Sequence, residues 1–155
     1  MYNETNKEKF EDKSMSDLPI GVNAILINEK GEILLGKRKN AFGDGEFSLI
    51  GGHLKKGERI EACIVRELWE EVGLRVLEED VEVVNFAFVG EGIPMIEIGA
   101  VVKKYEGIPT IKEPLYCEEI RFFNLNELPK MFVGTRVNLE LYLKGKFYEK
   151  ETNKY

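Results

Sequence analysis

Three glutamates, Glu67, Glu70 and Glu71, lie close together in a segment rich in helix-forming residues. Successive residues of an α-helix are rotated by about 100°, so Glu71 falls about 40° to one side of Glu67 and Glu70 about 60° to the other. Like charges at these spacings repel each other. A divalent cation would neutralise the repulsion, and oxygen ligands favour Mg²⁺ or Mn²⁺ over zinc. The alternative for the acids alone is a solvated acidic face.

The apolar residues of the same segment fall on an arc beside the three acids. A helix is predicted from about Arg59 to Val72, with Gly73 at the position of a C-terminal cap. The arc that faces the core carries Ile64, Val65, Leu68 and Val72. The acids therefore line one edge of a buried seam, which makes them costly unless a cation sits there.

A wider motif surrounds these acids, in the stretch GGHLKKGERIEACIVRELWEEVGL from Gly51 to Leu74. It fits G-x5-E-x7-R-E-U-x-E-E-x-G-U, where U is a bulky apolar residue. The matching residues are Gly52, Glu58, Arg66, Glu67, Leu68, Glu70, Glu71, Gly73 and Leu74. This spacing resembles the signature of the Nudix hydrolase family.

The resemblance implies an α+β fold of the Nudix type, an α/β/α sandwich with a mixed sheet and a catalytic loop–helix–loop. It also implies hydrolysis of a nucleoside diphosphate linked to another group, by attack of water on phosphorus with divalent metal help. The implied metal ligands are Glu67, Glu70, Glu71 and the backbone carbonyl of Gly51. The implied catalytic set is Glu58, Arg66, Glu67 and Glu70, in which Glu58 and Arg66 form an ion pair that ties the loop to the helix.

A further acid from a distant strand often completes sites of this family. Glu119 immediately precedes a predicted strand and is the expected additional metal ligand, with Glu118 as the alternative. The alternative for both glutamates is a surface position without a ligand role.

The flanks of the motif resemble MutT-like nucleoside triphosphate diphosphatases, through Leu34–Arg38 and Gly51–Leu54. The expected reaction converts a nucleoside or deoxynucleoside triphosphate to the monophosphate and pyrophosphate. A hydrolase of ADP-ribose or a nucleotide sugar, and a non-catalytic nucleotide-sensing module, are the alternatives. Two departures from the family pattern are present. Ile50 stands where many members have proline before the glycine pair, which concerns the shape of that turn. Residues 107–114 show no evident base-reading pair of acids, which argues against a specificity for purines.

Basic residues near the motif are candidates for binding the substrate. Arg38 and Lys37 could meet triphosphate oxygens, and His53 could contact a phosphate from its loop. The alternative for Arg38 and Lys37 is that they lie at a solvated strand end. The alternative for His53 is that it is a partly buried loop residue hydrogen-bonded to the backbone. Phe42, Phe47 and Trp69 could stack on a base, although packing is favoured for the last two.

The rest of the chain predicts strands around the motif, as a mixed and largely non-parallel set with two helices. A hairpin is predicted from Ile20–Ile27 and Glu32–Gly36. The other predicted strands are Phe47–Ile50, Val81–Val89, Ile93–Tyr105 and Ile120–Phe123, and the second helix is Val137–Leu143.

Length and composition bound the class of protein. The chain of 155 residues suits one domain at 18–143, with a flexible arm at 1–17 and a polar tail at 144–155. A net charge of −6 argues against a partner that is a nucleic acid polymer. No apolar run is long enough for a membrane span, and Cys63 and Cys117 read as reduced thiols, so a cytoplasmic location is expected. The resemblance leaves a homodimer open.

Overall fold

The computed structural model describes residues 18–89 and 95–149. The predicted arm at 1–17 and the end of the predicted tail lie outside the described residues. Within them, no helix is long and apolar enough to cross a membrane.

The described chain forms short strands, two α-helices and one 3₁₀ turn. The strands are β1 (Ile20–Ile25), β2 (Glu32–Arg38), β3 (Phe47–Ser48), β4 (Ile50–His53), β5 (Val81–Val89), β6 (Met95–Val102) and β7 (Cys117–Asn124). The helices are α1 (Ile60–Val72) and α2 (Val133–Leu143), and the 3₁₀ turn is Glu78–Asp80.

The strands form two sheets. The first has the order β4-β1-β6-β5 and is mixed, because β1 runs parallel to β6 and antiparallel to β4. The second is antiparallel and has the order β3-β2-β7. The predicted mixed strand set with two helices is confirmed.

The predicted hairpin of the first two strands is present only around its turn. There, Ile27 bridges Ile33, and the backbone N–H groups of Asn28 and Leu34 donate to the carbonyls of Glu32 and Leu26. The strand β1 itself pairs with β4 and β6 instead of β2. The turn carries the chain from one sheet to the other, and the Asn28 side chain closes it by accepting the backbone N–H groups of Lys30 and Glu32. Buried apolar side chains alone do not say which neighbour a strand takes.

The predicted strand Phe47–Ile50 is divided between the sheets. Phe47 pairs with Lys37 of β2, whereas Ile50 pairs with Ala24 of β1. The switch lies at Leu49, whose backbone N–H donates to the hydroxyl of Thr135 at 3.0 Å. This switch places the glycines that follow it against β1.

Other predicted boundaries shift by a few residues. β2 and β7 are longer than predicted, and the described part of β6 ends at Val102 rather than Tyr105. α2 begins four residues before the predicted Val137, through Gly134 and Thr135, both weak helix formers. Packing against β6 outweighs helix propensity at this position. Glycine is needed at position 134 because a Cβ there would overlap the Glu97 carboxylate.

The helices lie on opposite faces of the first sheet. Along β1, Val22 and Ala24 join the core that contains Ile64 and Leu68 of α1. The alternate residue Ile25 packs in a second core with residues of α2 and the second sheet. Side chains alternate between the two faces of a strand, so this pattern places β1 at the centre of the layers.

Part of the predicted polar tail packs against the sheet. The rings of Phe147 and Phe86 lie 5.4 Å apart, and Tyr148 stacks on Phe86 at 4.9 Å. The backbone N–H of Phe86 also donates to the carbonyl of Phe147 at 3.0 Å. The aromatic pair within the tail is therefore tied to β5.

Leu68 anchors α1 to the core, and its removal should destabilise the fold. Leu68 is fully buried, so Leu68→Ala is expected to lower the free energy of unfolding by about 2–5 kcal/mol. Leu77→Ala is the matched control, since Leu77 is 62% exposed, and should change it by less than about 0.5 kcal/mol. Denaturant titration measures both, and equal effects would contradict the packing described.

Candidate active site

The motif folds as a strand, a loop and a helix with a defined end. α1 ends at Gly73, which is in the left-handed conformation with φ of 70°. The backbone N–H groups of Gly73 and Leu74 donate to the carbonyls of Trp69 and Leu68. The bond from Gly73 to Trp69 is the one that defines an αL cap, in which glycine avoids the strain of positive φ.

Arg66 joins the loop to the helix through several hydrogen bonds. Its Nε and Nη2 donate to the two carboxylate oxygens of Glu58 at 2.7 and 3.1 Å. Its Nη1 donates to Glu67 at 2.6 Å, and Nη2 also reaches the carbonyl of His53 at 3.3 Å. Glu58 in addition accepts the backbone N–H of Lys55 at 3.0 Å. The ion pair implied by the resemblance is thus present and holds the loop at both ends.

The acids of the motif divide into an inner and an outer group. Glu67 and Glu71 point inward, and burial raises the pKa of both carboxyls. The pKa of Glu71 rises to about 8, first through burial and then through the charges of Glu67 and Glu113, while a hydrogen bond from Gly51 opposes the rise. The outer Glu70 is 44% exposed and meets Arg66 Nη1 at 3.2 Å through one oxygen. The inner site therefore disfavours the ionised form of Glu71 while no cation is bound.

Glu113 is the acid from outside the motif that faces the inner group. The segment beside it runs along the end of α1, where the backbone N–H of Lys112 donates to the carbonyl of Glu71 at 3.0 Å. Glu119 instead pairs with Arg121 at 3.3 Å and does not line the cavity next to the acids. Its ligand role stays a prediction. Sequence reasoning missed Glu113 because it belongs to an irregular segment with no periodic pattern.

The donor set fits a hard divalent cation. Buried carboxylate oxygens beside a glycine-rich turn are the ligands that Mg²⁺ and Mn²⁺ prefer. No group of three acidic, thiol or imidazole side chains among residues 18–89 and 95–149 is already gathered in metal-binding geometry. Two of the predicted ligands are engaged elsewhere, since Glu67 and Glu70 both hydrogen-bond to Arg66. Gly52 leaves room for the carboxylate of Glu67, because a Cβ there would overlap it.

A cavity of about 640 Å³ opens beside the acids and contains the predicted substrate-binding residues. Arg38 donates to the carbonyl of Phe42 at 2.8 Å, and its guanidinium lies 4.2 Å from the centre of the Phe132 ring. Lys37 Nζ lies 3.5 Å from Glu118 Oε2. His53 is exposed and lines the rim of the cavity. The structure thus brings Lys37, Arg38 and His53 to one cavity.

The aromatic candidates occupy different environments. Phe47 is buried and packs edge-on against Phe123 at 4.9 Å. Trp69 is exposed, with the Arg75 guanidinium 5.6 Å from its ring centre. Phe42 is 71% exposed and meets Phe132 edge-on at 5.8 Å. Phe42 and Phe132 line the cavity, while Phe47 and Trp69 do not.

Two polar residues inside strands were not singled out by the sequence reasoning. Asn23 interrupts an apolar strand, and Glu97 does so in β6; both line the cavity. Burial raises the pKa of Glu97, opposed by a hydrogen bond from Asn23 and the charge of Arg38. A polar residue inside an otherwise apolar strand was the signal that could have found them.

Both cysteines are free thiols, as predicted. Cys63 is buried under the loop, and burial raises its pKa to about 12. Neither thiol is therefore placed as a nucleophile.

Comparison with models of known protein families identifies the family of this chain. The NUDIX domain model matches residues 17–142, which cover both sheets and nearly all of both helices. The chain belongs to the NUDIX domain family. Members of this family hydrolyse phosphoric anhydride bonds, and the loop–helix at Gly51–Leu74 is where this NUDIX domain carries the family's motif.

Individual relatives agree with the family assignment. The oxidized purine nucleoside triphosphate hydrolase of Danio rerio is 34% identical over 108 residues, which is 68% of this chain and 66% of that protein. The NAD-capped RNA hydrolase NudC of Pseudomonas putida is 32% identical over 125 residues, or 77% of this chain. The aligned region spans only 42% of NudC.

Solved structures show the same fold. The MutT NUDIX hydrolase from Burkholderia pseudomallei superposes with a TM-score of 0.74 at 27% identity, over 80% of this chain and 97% of that one. The NUDIX domain of Shewanella oneidensis NrtR, complexed with ADP ribose, gives 0.70 at 15% identity over 92% and 99% of the two chains. The second likeness concerns the fold alone.

Protonation of Glu58 should weaken the loop–helix connection in acid. The hydrogen bonds from Arg66 and then from Lys55 lower the pKa of Glu58 to about 2, against about 4.3 for an unperturbed glutamate. A carboxyl whose folded pKa is depressed stabilises the fold above its unfolded pKa and loses that contribution as pH falls from about 4 towards about 2. The free-energy difference between wild type and Glu58→Gln should therefore be largest near neutral pH and shrink steadily below about pH 4.

Denaturant titrations across this pH range measure the difference. Glu127→Gln, at an exposed carboxylate, is the control and should show a smaller difference with little pH dependence. A Glu58→Gln difference that stays constant down to about pH 3 would contradict the role of the ion pair.

Proposed function

We propose that this protein hydrolyses a nucleoside or deoxynucleoside triphosphate to the monophosphate and pyrophosphate, with Mg²⁺ or Mn²⁺ as cofactor. The observation that carries the proposal is the partly buried Glu71, whose carboxyl is affected by the charges of Glu67 and Glu113 at the wall of a cavity of about 640 Å³. A cavity of this size accommodates a small-molecule ligand. The MutT-type relatives support the choice of a triphosphate.

The acids would hold the cation. Glu67, Glu70 and Glu71 are the proposed ligands from α1, together with the carbonyl of Gly51. One further carboxylate comes from outside the motif, and Glu113 is better placed for it than Glu119. When bound, the cation supplies positive charge that neutralises phosphate oxygens and assists the attack of water on phosphorus.

The reaction breaks one anhydride bond and forms one bond between water oxygen and phosphorus. Glu70 is proposed to accept the proton of the attacking water, since its carboxylate is half exposed and only one of its oxygens meets Arg66. Glu58 and Arg66 act as positioning residues, because they hold the loop and α1 in one geometry. Pyrophosphate leaves with the electron pair of the broken bond.

The basic residues of the cavity would bind the polyphosphate. Lys37 can exchange its exposed partner Glu118 for a phosphate oxygen at little cost, since exposed ion pairs contribute little. His53 would contact the substrate from the rim. Arg38 lies between the two ends of the cavity, where the charges of both Glu71 and Glu97 act on it.

A dinucleotide or nucleotide-sugar anhydride, including ADP-ribose, is the second candidate. The specific observation in its favour is the similarity to NudC, which is named for hydrolysis of NAD-capped RNA. The same acids would serve either substrate, so the cavity and not the motif would discriminate between them. With a net charge of −6, a free nucleotide is favoured over a nucleic acid polymer. The free thiols favour the reducing cytoplasm.

A turnover screen with product identification tests the reaction. With Mg²⁺, the protein is expected to release pyrophosphate and a monophosphate from at least one nucleoside triphosphate, and a chelator should abolish this because the acids then lack their cation. Products are separated by ion-exchange chromatography. Cleavage of ADP-ribose or a nucleotide sugar without triphosphate turnover would support the second candidate. Binding without any turnover would support a sensor.

Replacing Glu71 tests the metal assignment. Glu71→Gln is expected to reduce kcat by orders of magnitude, because a neutral amide is a poor ligand for Mg²⁺. Its melting temperature should not fall, since burial already disfavours the charged form of this carboxyl, which the neutral amide replaces. Glu61→Gln is the matched control on the same helix, outside the cavity, and should keep nearly full activity. Near-full activity of Glu71→Gln would reject the ligand role.

A further inference from the structure

A network of polar side chains lies on the α2 face of the first sheet, and two of its members, Asn23 and Glu97, line the cavity. Glu97 is only 3% exposed. Asn23 Nδ2 donates to Glu97 Oε2 at 2.7 Å and to Asn138 Oδ1 at 2.8 Å. Asn138 Nδ2 donates to Asn85 Oδ1 at 2.9 Å and to the carbonyl of Glu97 at 3.1 Å. The network therefore connects four elements of the fold: β1, β6, α2 and β5.

The direction of every hydrogen bond in this network is determined by its neighbours. Asn85 Nδ2 donates to the backbone carbonyl of Asn138 at 2.9 Å, which turns Asn85 Oδ1 towards the Asn138 amide. Asn138 must then accept from Asn23 through Oδ1. Both N–H groups of the Asn23 amide are used, one by Glu97 and one by Asn138. Asn23 Oδ1 and Glu97 Oε1 remain without a donor among the described residues, as two acceptors at the cavity wall.

The surrounding glycines show that the fold makes room for this carboxylate. A Cβ at Gly21 or at Gly134 would overlap the Glu97 carboxylate oxygens. A Cβ at Gly99 would likewise overlap the side-chain oxygen of Asn85. The position of Glu97 thus depends on close backbone approach from both β1 and α2. Buried carboxylates are costly unless they are paired, so an unpaired acceptor held in place here calls for a ligand.

The network lies at a suitable distance from the acids of α1. Asn23 is the cross-strand partner of Gly51, and Glu97 lies one strand further, opposite Gly21. Adjacent strands are about 4.8 Å apart, so β4 and β6 are separated by about 10 Å. A nucleotide whose phosphates lie at Glu71 can therefore extend its base across β1 to Glu97, inside the same cavity.

We propose that Glu97 and Asn23 are specificity-determining residues that select a nucleobase edge with two adjacent N–H donors. Guanine has this edge, in its ring N1–H and its exocyclic amino group. The inference rests on the proposed function, because it takes the ligand of the cavity to be a nucleotide.

Other bases fit the two acceptors less well. Adenine and cytosine present an amino donor beside a ring nitrogen that is itself an acceptor, and uracil presents one N–H between two carbonyls. With each of these bases, Asn23 Oδ1 or Glu97 Oε1 would face another acceptor or have no donor. A buried unsatisfied polar group costs about 1–3 kcal/mol. A site that hydrogen-bonds its substrate discriminates strongly against analogues that lack the donor.

Equilibrium binding of nucleoside monophosphates in chelator tests the proposal without requiring turnover. GMP, IMP and AMP are titrated by calorimetry; IMP differs from GMP only by lacking the exocyclic amino group. Wild type is expected to bind GMP about tenfold more tightly than IMP, and AMP more weakly still. Equal affinities, or tighter binding of AMP, would overturn the proposal, and this comparison needs no variant to fold.

Glu97→Gln tests the residue itself. The amide can still accept from Asn23 while it turns an N–H donor to the cavity, so GMP affinity should fall by about 10- to 100-fold and AMP affinity should change by only a few-fold. Glu82→Gln is the matched control, since its exposed carboxylate on β5 pairs with Lys103 away from the cavity. An unchanged preference for GMP in Glu97→Gln would overturn the assignment.

A parallel assay of triphosphate hydrolysis with Mg²⁺ separates the two proposals. Hydrolysis with no preference among bases would leave the proposed function standing and reject the inference. A GMP preference that Glu97→Gln removes, in a protein that hydrolyses no nucleotide, would reject the proposed function and retain the inference.

Discussion

The ion pair of Arg66 with Glu58 is the interaction on which the geometry of the active site depends. One guanidinium holds both oxygens of Glu58, one oxygen of Glu67 and the carbonyl of His53. A planar fork of donors suits this task, because each hydrogen bond constrains the direction of the next. The loop that follows β4 and the acidic edge of α1 therefore keep one relative position.

Around that ion pair, the fold gathers carboxyl groups whose ionisation the neighbouring cations only partly favour. Burial and mutual repulsion raise the pKa of Glu71, and Arg38 is the cation whose charge acts on it. Such an arrangement destabilises the cation-free protein, and the apolar contacts of Leu68 and its neighbours have to offset the cost. The site is in this sense prepared for a charged ligand.

The cavity joins two kinds of chemistry that come from opposite faces of one sheet. α1 contributes the acids at one end, and α2 holds the Asn85–Asn138–Asn23–Glu97 network at the other. β1 separates them and contacts both, because alternate residues of a strand point to opposite faces. A slip of one residue in β1 would exchange Asn23 for an apolar neighbour. The register of β1 with β4 and β6 thus controls both ends of the cavity.

Local patterns in the chain were enough to predict α1, its cap at Gly73, the shared edge of its three glutamates and the family, because helix periodicity and motif spacing involve residues close in sequence. Only the tertiary structure decided that Phe47–Ile50 divides between two sheets, that β1 and β2 separate beyond their turn, and that Glu113, Asn23 and Glu97 reach the cavity. Those features depend on strand partners distant along the chain. The choice among such partners is made by packing and hydrogen bonding of the whole domain, which no short window of sequence contains.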